Sequence, residues 1–246
     1  MSRIESPSDP SYERVYFILA ALFIAALVAC NLIFQKFFFW DVSFFGWSYT
    51  FQLSVGILPY PVTFLVTDIL SEIYGKAKAT RVVTCGLFAS LFVLGLILVA
   101  DAVPATPWSP VDNETFHRVF GPSWIGVTAS MAAYLAAQYM DIRFFIFWRR
   151  LTRGRHLWLR NNASTMTSQV LDTAVVNGLL ISMGAAGMTW ELFPALFWNG
   201  VVFKWLVALA DTPLFYAAAF ILRRRFAGEV RGVEIEERIS VPLEAT

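Results

Sequence analysis

Runs of roughly 20 mainly apolar residues, each long enough to cross a hydrocarbon core as a helix, recur six times, at about residues 16–34, 51–73, 82–100, 123–148, 164–184 and 193–222. This pattern predicts an all-α integral membrane protein with six transmembrane helices. The connection over residues 101–122 carries Pro104, Pro107, Pro110 and Pro122 and reads as an exposed loop, with a short helix expected near residues 113–120. After Phe226 the chain turns polar, with Glu229, Glu234, Glu236 and Glu237, and a mobile tail is expected. The domain organisation is then an N-terminal segment over 1–15, one membrane domain over 16–225 and a polar tail over 226–246.

Composition agrees with the pattern. The chain is 57% hydrophobic and 15% charged with mean hydropathy +0.59, which would leave a soluble globule with too much apolar surface. The lipid bilayer is its natural solvent. A net charge of +1 gives no whole-chain support for a nucleic-acid partner, so the basic residues carry a different message. Arg3 and Arg14 precede the first span, and Lys76, Lys78 and Arg81 join the second to the third. Arg143, Arg149, Arg150, Arg153, Arg155 and Arg160 lie between the fourth and fifth, and Arg223, Arg224, Arg225, Arg231 and Arg238 follow the sixth. Lys36 and Arg118 fall on the opposite connections and Lys204 within a span, so the positive-inside rule puts both termini in the cytoplasm. The cluster from Arg149 to Arg160 also suits an anionic-lipid surface. Trp40, Trp47, Trp108 and Trp124 read as an outer interfacial belt.

The cysteines, Cys30 and Cys85, fall in apolar runs, and His117 and His156 in polar connections. Neither a disulfide framework nor a metal cluster is legible, no cofactor is implied, and no buried histidine stands near a serine or cysteine nucleophile. The chain is therefore read as a non-enzyme.

Function is carried by polar residues inside the spans, which are expensive in hydrocarbon and mark a polar cavity or a partner. Asp68 and Glu72 stand four apart on one helix face, with Thr63 and Thr67 nearby and Pro59 and Pro61 upstream, where they are expected to disturb backbone hydrogen bonding. Glu72 also stands four before Lys76, the spacing of an ordinary i,i+4 pair. The fourth and fifth spans repeat one small pattern, Gln138-x-x-Asp141 and Gln169-x-x-Asp172, and Thr165, Ser168, Gln169 and Asp172 make a polar stripe. In the sixth span Lys204 precedes Asp211 by seven residues and Pro213 is expected to kink the helix; Asp172 or Asp211 would neutralise Lys204. Carboxylates that accept from N–H donors, and amides that both donate and accept, suit a planar polar heterocycle. The expectation is that these groups share one wet pocket, while the third span, with Gly86, Ala89, Ser90 and Gly95, packs as scaffold.

At these motifs the chain resembles the queuosine precursor transporter family, part of a wider vitamin uptake transporter group of bacterial membrane proteins. The likeness is carried by Tyr-Pro-Val-Thr-Phe-Leu-Val-Thr-Asp over 60–68 followed by Glu72-Ile73-Tyr74-Gly75. It continues in Ala133-Tyr134 with Gln138 and Asp141, and in Asn-Asn-Ala-Ser-Thr over 161–165 with Ser168, Gln169, Asp172 and Thr173. Asn31, Gln35 and Lys204 also stand where that family has polar residues, and the likeness covers about residues 15–225.

The resemblance implies a bacterial inner-membrane importer of 7-deazaguanines, the cyano form preQ0 and the aminomethyl form preQ1, destined for queuosine in tRNA. It also implies a six-helix fold similar to the substrate-binding subunits of energy-coupling-factor transporters. Asn31, Asp68, Glu72, Gln138, Asp141, Gln169, Asp172 and Lys204 are the substrate-binding candidates. Asp68 or Asp172 would accept from the N1–H and amino edge of the base, Gln138 and Gln169 would orient the ring, and Asp141 or Glu72 would meet the aminomethyl cation. The partners are a small purine-like substrate and lipid, with a homo-oligomer allowed. The competing reading is a substrate-binding subunit for another small vitamin-like heterocycle, dependent on separate ATPase partners.

Overall fold

The computed structural model describes residues 9–44, 46–151 and 157–240. The chain is mostly helical, in the order α1 (Pro10–Ile33), β1 (Phe37–Phe44), β2 (Trp47–Ser54), α2 (Tyr60–Tyr74), α3 (Lys76–Ala102), α4 (Asn113–Phe120), α5 (Ser123–Leu151), α6 (Leu157–Ser182), α7 (Phe193–Arg225) and α8 (Ala227–Ser240). Five stretches among the described residues are long and apolar enough to cross a membrane: Pro10–Ile33, Val55–Tyr74, Lys76–Ala102, Asn113–Ala137 and Phe193–Arg225. These make the chain a multi-pass membrane protein. The expected fifth span falls in α6, 26 residues long and about 39 Å as a helix, which Asn161, Asn162, Gln169, Asp172 and Asn177 make the most polar of the long helices in this set.

The all-α expectation needs correction between α1 and α2, where β1 and β2 form a two-stranded antiparallel hairpin, with Phe38 opposite Leu53, Trp40 opposite Phe51 and Val42 opposite Tyr49. Residues 51–54, expected inside the second span, belong to β2. The segment is rich in aromatic and β-branched residues, which suit a pleated half-buried surface, and Gly46 supplies the turn with φ of 83°. One face of the hairpin packs on α7: Phe51, Leu53 and Phe203 form a buried cluster with Phe38, Val42, Val202 and Val207 around it. Trp40, expected at the outer interface, stands on Phe51 and Phe203 at ring distances of 5.7 and 5.9 Å.

The expected action of Pro59 and Pro61 is corrected as well. Pro59 occupies the position before α2 and Pro61 its first turn, where a missing N–H costs nothing, so these residues start the helix. Pro213 lies inside α7, which continues through it as one helix from Phe193 to Arg225. The short helix expected near residues 113–120 is α4, capped by Asp112, whose side chain accepts from the Thr115 backbone N–H. That bond holds the Asp112 carboxyl below the usual carboxylate range.

The chain divides into two compact units, one of residues 1–28, 59–89 and 208–246, the other of 29–58 and 90–207. The first unit is cored by Tyr12, Phe23, Val66, Ile69, Leu70, Ile73, Tyr74, Val82, Phe226 and Val230. Two reciprocal hydrogen bonds lock its aromatic centre: Tyr12 Oη donates to Ile73 O and Tyr74 Oη to Tyr12 O, both at 2.9 Å. The tail expected to be mobile after Phe226 is helix α8 as far as Ser240, anchored where Phe226 and Val230 enter this core. Residues 1–8 of the N-terminal segment and 241–246 of the tail lie outside the described residues. In the second unit α5 packs along α6, and Phe34, Ile125, Ala129, Leu180, Ile181 and Leu196 make the core.

Candidate functional site

The second unit holds the best-formed polar constellation. On α6, Asp172 and Thr173 follow Gln169 by one helical turn, and the Thr173 hydroxyl donates back to the Gln169 carbonyl at 2.8 Å. On α7, Gly200 comes close to this turn, since a Cβ there would meet Thr173 Cγ2 at 3.0 Å. One turn further along α7, Lys204 extends its ammonium to Asp172 and donates to Oδ2. The pair is nearly sealed, with side-chain exposures of 8% for Lys204 and 14% for Asp172. Of the two carboxylates that spacing allowed, Lys204 takes Asp172. Ser168 and Thr173 are buried beside them, whereas Gln169 is half-buried.

Two further buried amides belong to this unit. Asn31, near the end of α1, is 6% exposed and accepts from the Ser130 hydroxyl of α5 at 2.7 Å. Its neighbour Cys30 lies within Coulomb range of Lys204. Asn199, 2% exposed on α7, accepts from the Tyr49 hydroxyl at 2.6 Å and donates to the Gln52 carbonyl at 3.4 Å, so it ties the hairpin to α7. Sequence reasoning missed Asn199, Tyr49 and Ser130. Asn199 carried the same signal as the residues it did single out, an amide inside an apolar run. Gln138 and Asp141 lie on α5, and their side chains are outside the described residues, as are those of Asn161, Asn162 and Thr165 on α6.

Asp68, Glu72 and Asp211 belong to the first unit. Asp68 is exposed on α2, opposite the buried Val66, Ile69, Leu70 and Ile73. Asp211 on α7 lies within Coulomb range of Asp68, and its Oδ2 is buried with no hydrogen-bond partner. Glu72 pairs with Arg223 near the end of α7, across half-exposed surface, which replaces the i,i+4 contact with Lys76 that spacing suggested. Thr63 and Thr67 turn their hydroxyls back to the carbonyls of Tyr60 and Thr63 at 2.7 and 2.9 Å, so α2 satisfies them itself.

Thus the structure brings Asp172 together with Lys204, and Asn31 with Ser130, within one unit, while Asp68 and Glu72 fall in the other. Among the described residues no group of His, Cys, Asp and Glu is placed to hold a metal ion. The chemistry on offer is hydrogen bonding by a carboxylate, amides and hydroxyls around a buried ammonium, which binds and orients a polar ligand.

A family model described as "Putative vitamin uptake transporter" matches residues 54–218. The chain is similar to a "Probable queuosine precursor transporter" of Bacillus subtilis (strain 168), 29% identical over 199 residues, 78% of this chain and 80% of that protein. It is also similar to a "Queuosine precursor transporter" of Escherichia coli (strain K12), 25% identical over 166 residues, 68% of each chain. A "Probable queuosine precursor transporter" of Haemophilus influenzae (strain ATCC 51907 / DSM 11121 / KW20 / Rd) is 24% identical over 162 residues, 66% of each. No solved structure matches the chain significantly.

Proposed function

Because the chain belongs to the vitamin uptake transporter family, we propose that it imports queuosine precursors, the 7-deazaguanines preQ0 and preQ1, across the bacterial inner membrane for tRNA modification. The observation that carries this reading is the buried Asp172–Lys204 pair beside Gln169, on helices whose motifs fall within the matched residues 54–218. A sealed ion pair at membrane depth costs desolvation and is more useful as a ligand site than as a brace. That all three relatives are named as transporters supports a role without covalent chemistry.

In this proposal α6 crosses the membrane as the fifth of six spans, its polar residues sheltered by neighbouring helices. Both termini face the cytoplasm, following the distribution of Lys and Arg. In the second unit the guanine-like edge of the base, with N1–H and an exocyclic amine, is accepted by Asp172, and Gln169 and Gln138 address its carbonyl; Asp68 of the first unit is the alternative acceptor. Asn31 and Asp141 complete the polar set, with Lys204 exchanging contacts as the base arrives. Glu72 meets Arg223 instead.

Deleting the gene in a strain that cannot synthesise preQ0, then supplying preQ0 or preQ1 at low concentration, tests the reading. Queuosine should vanish from tRNA and return with the intact gene. Unchanged queuosine in the deletion strain would remove the importer role. Uptake into liposomes by the purified chain alone should proceed, and a strict need for an added ATPase partner would convert the importer into a binding subunit.

A further inference from the structure

Resting on the importer reading above, we propose that Asn31 is a specificity-determining donor to the ring carbonyl of the base, and that Ser130 is the positioning residue that keeps it a donor. Asn31 lies near the end of α1, 6% exposed, in the unit that holds Asp172 and Lys204, and its neighbour Cys30 lies within Coulomb range of that lysine. Its amide oxygen accepts from the Ser130 hydroxyl of α5 at 2.7 Å, while its Nδ2 amine has no hydrogen-bond partner among the described residues. An amine buried this deeply without an acceptor is costly until a ligand supplies one.

The orientation of the amide follows from Ser130. Thr128, two residues earlier, turns its hydroxyl back to the Trp124 carbonyl of its own helix at 2.7 Å, whereas the Ser130 hydroxyl has Asn31 Oδ1 as its acceptor. Turning the amide over would take that acceptor away and set the hydroxyl proton against an N–H2 group. Backbone packing brings the two residues together. Phe34, one turn after Asn31, lies against Gly126, one turn before Ser130, where a Cβ would meet Phe34 Cε1 at 2.6 Å. Asn31 therefore turns donors toward a ligand, whereas the Asp172 carboxylate only accepts. These opposite characters match a lactam edge, a carbonyl beside an N–H, and O6 of a 7-deazaguanine has two lone pairs, one for Asn31 and one for a glutamine amide.

The full-length protein, purified in detergent, is titrated calorimetrically with the cyano 7-deazaguanine and with its 6-thio analogue, which keeps the N1–H and the exocyclic amine but replaces the carbonyl oxygen by a weaker acceptor. The oxo base should bind at least about tenfold more tightly. Asn31→Ala should bring that ratio to within about twofold of unity, Ser130→Ala should lower it at least about threefold, and Ser130→Thr, which retains the hydroxyl, should keep it. A mere brace between α1 and α5 would weaken both bases alike, so an undiminished ratio in Asn31→Ala or in Ser130→Ala overturns the proposal. Equal binding of the two bases by the unaltered protein overturns it as well, while leaving the importer reading intact. Failure of both bases to bind overturns the importer reading and this proposal together. Should Asn31→Ala not fold, Ser130→Ala and the oxo–thio comparison in the unaltered protein decide.

Discussion

Replacing Lys204 by Met keeps most of the stem's volume and removes the ammonium from a site where Lys204 and Asp172 are only 8% and 14% exposed. Two unit charges in contact at about 3 Å attract by about 5 kcal/mol at an effective dielectric of about 20. Breaking such a buried pair from one side typically costs about 3–5 kcal/mol, because the remaining charge keeps its desolvation penalty and loses the partner that offset it. Lys204→Met should therefore destabilise the protein by about 3–5 kcal/mol, and Asp172→Leu by a similar amount. The double variant, with neither charge, should return to within about 1 kcal/mol of the native protein, giving a coupling of several kcal/mol in the cycle. Reversible unfolding in bicelles, followed by steric trapping without ligand, measures all four corners. Single costs below about 1 kcal/mol with an additive double would refute the reasoning, since that is how a pair in bulk-like water behaves.

Asp68→Asn should lower precursor uptake at least tenfold while changing stability by no more than about 0.5 kcal/mol, because Asp68 is exposed on α2 and its replacement creates no cavity; transport counts and unfolding on one preparation check both halves. Phe226→Ala removes a ring that is 3% exposed and stands edge-on to Tyr12 at 5.3 Å, so it should cost about 3–5 kcal/mol and free α8, read as faster amide exchange over residues 227–240. Asp112 has a folded pKa below its unfolded value, so its contribution is complete above the ordinary carboxylate range and is lost as pH falls through the folded pKa. Amide exchange at the start of α4 should accelerate on acidification below about pH 4, and Asp112→Ala should abolish that pH dependence.

Hydropathy alone was enough to locate the long helices and to find the expensive residues within them, because both signals depend on the chain's own composition. Asp172 and Lys204 were legible for that reason, as was the short helix that became α4. The hairpin was not, because the apolar runs at 16–34 and 51–73 left residues 37–50 as a connection and counted 51–54 into the second span. A period of two is visible in hindsight, yet only packing of Phe51 and Leu53 on Phe203 decides that the segment pairs with itself as strands. The C-terminal helix escaped for a related reason. Its glutamates read as a solvated tail, while two residues, Phe226 and Val230, hold it to a core built from segments distant in sequence.

What the sequence by itself determined is a multi-pass helical protein whose buried polar residues sit at named positions on named faces, and the family to which those positions belong. What only the tertiary structure decided is who meets whom. Spacing left Lys204 a choice between Asp172 and Asp211 and offered Glu72 the nearby Lys76; helix packing gave Asp172 to Lys204 and Arg223 to Glu72. The reason is geometric. A helix repeats its own faces every 3.6 residues, but an ion pair between helices needs two axes to approach, and that approach is set by small residues such as Gly200 against Thr173.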